Sequence, residues 1–160
     1  DLLPNRTGGA IMQKNLEILG DIQYTQDEID FALDMQKANG KPQIGIDGKI
    51  RPLRETLESP GGGSTDVGDV SYNVPVVSLA ATTAPKGVPW HSWSVVASSG
   101  MSIGHKGMLH AAKALGMSMI DIYKDKKLRE EIKKEFDERI GDYNYDPYLN
   151  PGPPPIDYVD

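Results

Sequence analysis

Apolar residues recur at helical intervals in four stretches of the chain. In the first, Ile11, Met12, Leu16, Ile18 and Leu19 follow Pro4-Asn5-Arg6-Thr7. Asn5 or Thr7 can cap that helix, and Gly20 can close it in a left-handed conformation. The second opens on Thr25-Gln26-Asp27-Glu28, a capping box in which hydroxyl and carboxylate reciprocally satisfy two backbone donors. Tyr24 and Ile29 stand where a hydrophobic staple forms. Ala32, Leu33 and Met35 continue the apolar face, and Asn39-Gly40, then Pro42, end it. A third stretch, from about His105 to Tyr123, is dense in Met, Leu, Ala and Ile on most faces, which predicts a helix buried against a sheet. The fourth, residues 125–140, carries a narrow stripe of Leu128, Ile132, Phe136 and Ile140 on an otherwise charged helix closed by Gly141. Along it, Glu130–Lys134 pairs opposite charges and Glu131–Glu135 like ones.

Between the second and third helices the period changes. Pro75-Val76-Val77-Ser78-Leu79-Ala80-Ala81 is short, apolar and β-branched and predicts a buried strand. Trp93-Ser94-Val95-Val96-Ala97 predicts a second. Residues 41–63 are poor in large apolar groups, end in Pro60-Gly61-Gly62-Gly63 and read as loop, and Ser64-Thr65-Asp66 reads as a helix start. Pro147, Pro151, Pro153, Pro154 and Pro155 make the tail extended. There is no internal repeat. The expected class is α/β, with helices packed on a short, incomplete sheet, over residues 1–141, followed by a Pro/Tyr-rich extension over 142–160.

With 160 residues and 38% hydrophobic content the chain suits one domain with a real core. A net charge of −6 and 7% aromatic residues argue against nucleic-acid backbone binding and base stacking. No run approaches the roughly 18 apolar residues of a membrane span, and nothing resembles a signal peptide. The absence of cysteine excludes disulfides and thiolate chemistry and fits a reducing, cytoplasmic setting. The chain lacks an initiator Met, and Asp1-Leu2-Leu3-Pro4-Asn5 reads as the exit of an element, so a piece of a longer protein is expected.

Three features carry candidate chemistry. Gly61-Gly62-Gly63-Ser64-Thr65-Asp66 places small residues before a helix start, where backbone N–H groups can approach an anion; the competing reading is a plain glycine linker. It is not a nucleotide loop, because no G-x-x-x-x-G-K is present. In Val88-Pro89-Trp90-His91-Ser92-Trp93, His91 is either a metal ligand on a loop or a packed histidine bonded to backbone. In Gly104-His105-Lys106-Gly107-Met108-Leu109-His110, the two histidines lie about 140° apart around a helix and do not share one metal, so His110 reads as structural. No Ser-His-Asp signature, paired-carboxylate motif or complete ligand set is visible; a catalytic metal needs about three protein ligands.

Taken in order, Gly63-Ser64-Thr65-Asp66-Val67-Gly68-Asp69-Val70-Ser71, Val74-Pro75-Val76-Val77, His91-Ser92-Trp93, Gly104-His105-Lys106-Gly107-Met108 and Ala111-Ala112-Lys113 resemble the aminoacylase/carboxypeptidase G superfamily of two-metal amidohydrolases. Leu3-Pro4-Asn5-Arg6-Thr7 and Asn15-Leu16-Glu17 extend the resemblance to the N-terminus. It implies the part of the catalytic domain that follows an inserted lid and dimerisation domain. The other metal ligands, the general-base Glu and a lid histidine would then lie outside this chain. By the same resemblance His91 matches the last metal-binding His, and Gly61, Gly62, Gly63, Ser64 and Thr65 match the loop facing the substrate carboxylate. That loop carries a Ser before Thr65-Asp66 where Gly-Gly-Gly-Thr-Asp is the commoner form.

The function implied is cleavage of an amide bond in an N-acyl amino acid or peptide-like substrate of the aminobenzoyl-glutamate type. Two divalent ions, zinc or manganese, would activate water, the missing half and lid domain would be partners, and the parent would be a homodimer. This segment alone would be inactive, with no catalytic residue of its own. The rival is a non-catalytic binding or structural fragment of the same fold without a metal centre. A His-x-Asp or Cys-x-His motif followed by a Glu pair upstream of Asp1 separates the two.

Overall fold

The computed structural model describes residues 2–54, 65–147 and 152–153. Its helices are α1 (Arg6–Leu19), α2 (Gln26–Ala38), α3 (Val67–Ser71), α4 (Trp93–Ser99), α5 (Ser102–Lys124) and α6 (Lys126–Ile140). The 23-residue α5 is the spine: α1, α4 and α6 pack on it, and α1 also packs on α6.

No strand forms among the described residues, which overturns the α/β class and its short sheet. Residues 75–81 run as irregular chain. Instead of pairing in a ladder, the segment lays Val77 against Gly8 of α1, where a Cβ on Gly8 would collide with the Val77 side chain. Residues 93–97 are the start of α4. The buried face there is Ser94 and Ser98, both fully inaccessible, while Val96 is 73% exposed. The serines at i and i+4 set the buried period, and the β-branched Val95-Val96 pair that suggested a strand does not.

The third helix departs from expectation in its packing. Apart from Ile103, α5 buries small residues: Gly104, Gly107, Ala114 and Ser118. The large residues Met108, Leu109, Leu115, Met119, Ile120 and Tyr123 are exposed. A Cβ on Gly104 would lie 2.6 Å from Ser98 O, and one on Gly107 would overlap Thr82 O, so both glycines let α5 approach neighbouring backbone.

The capping predictions hold. Asn5 Oδ1 accepts from Gly8 N at 2.9 Å, Thr25 and Glu28 complete the capping box, and Gly20 closes α1 at φ 74°. On α6 Leu128 and Ile132 are buried, with Phe136 and Ile140 half-buried. Its exposed ion pairs are Lys126–Glu130, Lys127–Glu131, Lys133–Asp137 and Lys134–Glu138 rather than Glu130–Lys134, each contributing about 0.3–0.5 kcal/mol.

Buried polar bonds tie the helices together. Asn15 Nδ2 donates to Ser118 Oγ and Asp121 Oδ2, both at 3.0 Å. Asn5 Nδ2 donates to Ile132 O at 2.9 Å. Glu135 of α6 accepts from Arg6 N (2.8 Å), Thr7 N and Thr7 Oγ1 (both 2.7 Å), and from Arg139 Nε at 2.8 Å, so one carboxylate satisfies the first two backbone donors of α1. Burial pushes the Glu135 carboxyl up, but these hydrogen bonds outweigh it and bring it to about 2. A depressed folded-state value means stabilisation present above the unfolded value of roughly 4.3 and lost as pH falls toward about 2. Thermal melts from pH 6 to pH 2 are therefore expected to show a steep loss of stability below about pH 4.3. Glu135→Gln should lower stability at pH 6 and flatten that loss. A parallel pair of curves would show that Glu135 does not carry the linkage.

Candidate functional site

The His91 loop lies between Lys86 and α4. Gly87 turns the chain at φ 76°, Val88 is buried, and Ser92 Oγ donates to Pro89 O at 2.5 Å. His91 itself sits at φ 59°, the non-glycine residue with positive φ among the described residues. That conformation costs roughly 1–2 kcal/mol for a residue with a Cβ, although histidine is among the types that adopt it more readily. The His91 side chain is exposed between Trp90, 72% exposed, and Trp93, 58% exposed. His91 is thus presented to solvent on a tight turn rather than packed in the core. No group of three His, Asp or Glu side chains among the described residues is arranged to hold an ion.

Of the glycine loop, Gly61, Gly62, Gly63 and Ser64 lie outside the described residues. Thr65 is exposed, and its Oγ1 accepts from Val67 N at 3.3 Å. The helix that follows, α3, has five residues, and its N-cap Asp66 makes no side-chain cap bond. The bonds of Thr65 are local, and no hydrogen bond among the described residues joins it to the His91 loop. His105 is exposed in the first turn of α5, and His110 is half-buried further along.

Two polar clusters centred on α2 escaped the sequence. In the first, Gln36 of α2 is fully buried. Its Nε2 donates to Gly45 O (2.9 Å) and Lys86 O (2.8 Å), while its Oε1 accepts from Ile44 N (2.9 Å) and Gly45 N (2.8 Å). Three residues on, Asn39 Oδ1 accepts from the buried Ser94 Oγ at 2.9 Å. In the second, Lys106 Nζ donates to Glu28 Oε2 at 2.6 Å and lies 5.7 Å from the Tyr24 ring centroid. Burial pushes the Glu28 carboxyl up, but Lys106, the Ser102 hydroxyl and the Thr25 N–H outweigh it and bring it to about 2. Burial, reinforced by the charges of Glu28 and Asp47, pushes the Tyr24 phenol up to about 12. Glu28, Ala32 and Gln36, four apart and all buried, form one face of α2; polar residues in register with Ala32 were the available signal.

Comparison with known proteins gives the chain a family. It is 32% identical over 157 residues to a p-aminobenzoyl-glutamate hydrolase subunit of Escherichia coli (strain K12), a match that takes in 83% of this chain and 33% of the relative. The chain belongs to the family of that hydrolase and spans about a third of the relative's length. No family model matches the chain, and no solved structure matches it. Among the described residues no helix is long and apolar enough to cross a membrane.

Proposed function

We propose that the chain is part of a metal-dependent amidohydrolase that cleaves the amide bond of an N-acyl amino acid or peptide-like substrate of the aminobenzoyl-glutamate type. The observation that carries this is the 32% identity to a hydrolase of that name. It is supported by an exposed histidine on a tight turn at the position the sequence motifs single out. His91 would supply one ligand to a centre of two zinc or manganese ions, with the remaining ligands contributed by the rest of the enzyme, a cytoplasmic homodimer. Such a pair polarises a carbonyl and lowers the pKa of bound water. Gly61, Gly62, Gly63, Ser64 and Thr65 would take the substrate carboxylate, since three successive glycines leave no Cβ between backbone N–H groups and an anion.

The test uses the complete enzyme with two substrates, aminobenzoyl-glutamate and its α-amide. The unmodified enzyme is expected to hydrolyse the carboxylate substrate. Gly62→Val is expected to raise KM for it by more than about tenfold, the loss of roughly one charge-assisted hydrogen bond, with little change for the amide. Equal effects on both substrates would make the loop a hinge; no turnover of either by the unmodified enzyme would remove the proposed activity.

A further inference from the structure

We propose that Gln36 and Asn39 are positioning residues that clamp both ends of the His91 loop to one face of α2; this rests on the reading of His91 as a ligand. The two side chains are three apart, Gln36 in the last turn of α2 and Asn39 at its C-cap. Gln36 reaches the entry of the loop through Lys86 O, at 2.8 Å. Asn39 holds its exit, accepting from Ser94 Oγ at 2.9 Å. Lys86 N also donates to Gly45 O at 3.2 Å, so the segment that Gln36 grips is itself bonded to the loop entry.

The bonding of Gln36 distinguishes this from ordinary core packing. A glutamine amide has two N–H donors and two acceptor lone pairs, and all four are engaged with backbone of the 44–45 and 86 segments. A residue needed only to fill that space would be apolar, because a buried amide costs stability unless fully bonded. Ser94 is likewise fully buried, and its hydroxyl points back to α2 rather than along α4. Between the two anchors lie the positive-φ residues Gly87 and His91. Fixing both ends restricts the backbone that carries the imidazole, as a ligand requires of its supporting residues.

Trp90 and Trp93 are the two tryptophans of the chain, so their indole N–H signals in a proton–nitrogen NMR spectrum report this loop alone. Asn39→Ala removes the acceptor for Ser94. Asn39→Asp keeps an acceptor there. Gln36→Glu replaces the donor NH2 by an oxygen facing the carbonyls of Gly45 and Lys86. Folding of each variant is read from the α1 and α6 amide signals. In the 160-residue chain, Asn39→Ala and Gln36→Glu are expected to shift and broaden both indole signals and to speed amide exchange at Val95 and Val96, whose N–H groups donate to Ser92 O at the loop's exit, by at least about tenfold, the loss of roughly one hydrogen bond. Asn39→Asp is expected to restore the Asn39 effect. Unchanged indole signals and exchange in a folded Asn39→Ala variant would overturn the clamp. If Gln36→Glu does not fold, Asn39→Ala and Ser94→Ala decide it. The reading of His91 is tested separately, by Zn2+ retained in the complete enzyme after His91→Ala, and its failure would leave the indole result intact.

Discussion

Gly107→Val is expected to destabilise the chain strongly, while Gly116→Ala, nine residues along the same helix, is expected to stabilise it. Both glycines lie in α5. At Gly107 an added Cβ would overlap Thr82 O and come within 2.8 Å of Thr83 Cγ2. The nearest obstacle is backbone, so no rotamer change relieves it. Overpacking of this kind costs typically about 1–3 kcal/mol even for a single methyl, and valine adds two more carbons at a helix position where branching is disfavoured. Against a total stability of about 5–15 kcal/mol for a domain, and with few large side chains fully buried among the described residues, that loss is a substantial fraction of what holds the fold. At Gly116 nothing lies within 4 Å of the added Cβ, and replacing glycine by alanine in a helix gains up to about 1 kcal/mol. Urea midpoints followed by circular dichroism check the pair, with Gly107→Ala as a milder variant. Equal responses at the two positions would show that the approach of α5 to residues 82–83 is not what Gly107 permits.

The close approach at Gly107 also marks where sequence reading reached its limit. Helix ends were legible because caps are local chemistry. Asn5, the Thr25–Glu28 box and Gly20 each act on backbone within four residues. The narrow stripe of α6 was legible for the same reason. What failed was the inference from side-chain size to burial. Val95 and Val96 suggested a strand, yet Ser94 and Ser98 face inward, and α5 buries glycine, alanine and serine while displaying methionine and leucine. A helix that meets its neighbours backbone to backbone buries its smallest residues, and hydropathy periods do not record that. Residues 75–81 have a strand's composition, but a strand exists only with a partner, and none is present among the described residues.

At the candidate site, His91 stood out through its neighbours, and the structure shows it exposed to solvent. The residues that hold it did not stand out. Gln36 and Asn39 act on segments 50 and 55 positions away, and no local motif announces such a bond. The glycine loop at 61–64 lies outside the described residues, so the role proposed for it rests on resemblance and on the chemistry of glycine.

His91→Ala in the complete enzyme is the most direct measurement, with His110→Ala beside it. His91 presents an exposed imidazole on a turn, whereas His110 is half-buried within α5. Disturbing even the residues that support a ligand weakens metal binding about 10–100-fold, and deleting a ligand should do at least as much. Metal analysis after dialysis against a weak chelator is therefore expected to show a lower ratio of zinc or manganese to protein in His91→Ala, with hydrolysis of aminobenzoyl-glutamate reduced in proportion. His110→Ala is expected to keep the unmodified ratio and to differ in melting temperature alone. Unchanged metal content and turnover in His91→Ala would contradict the assignment of this loop to the metal centre.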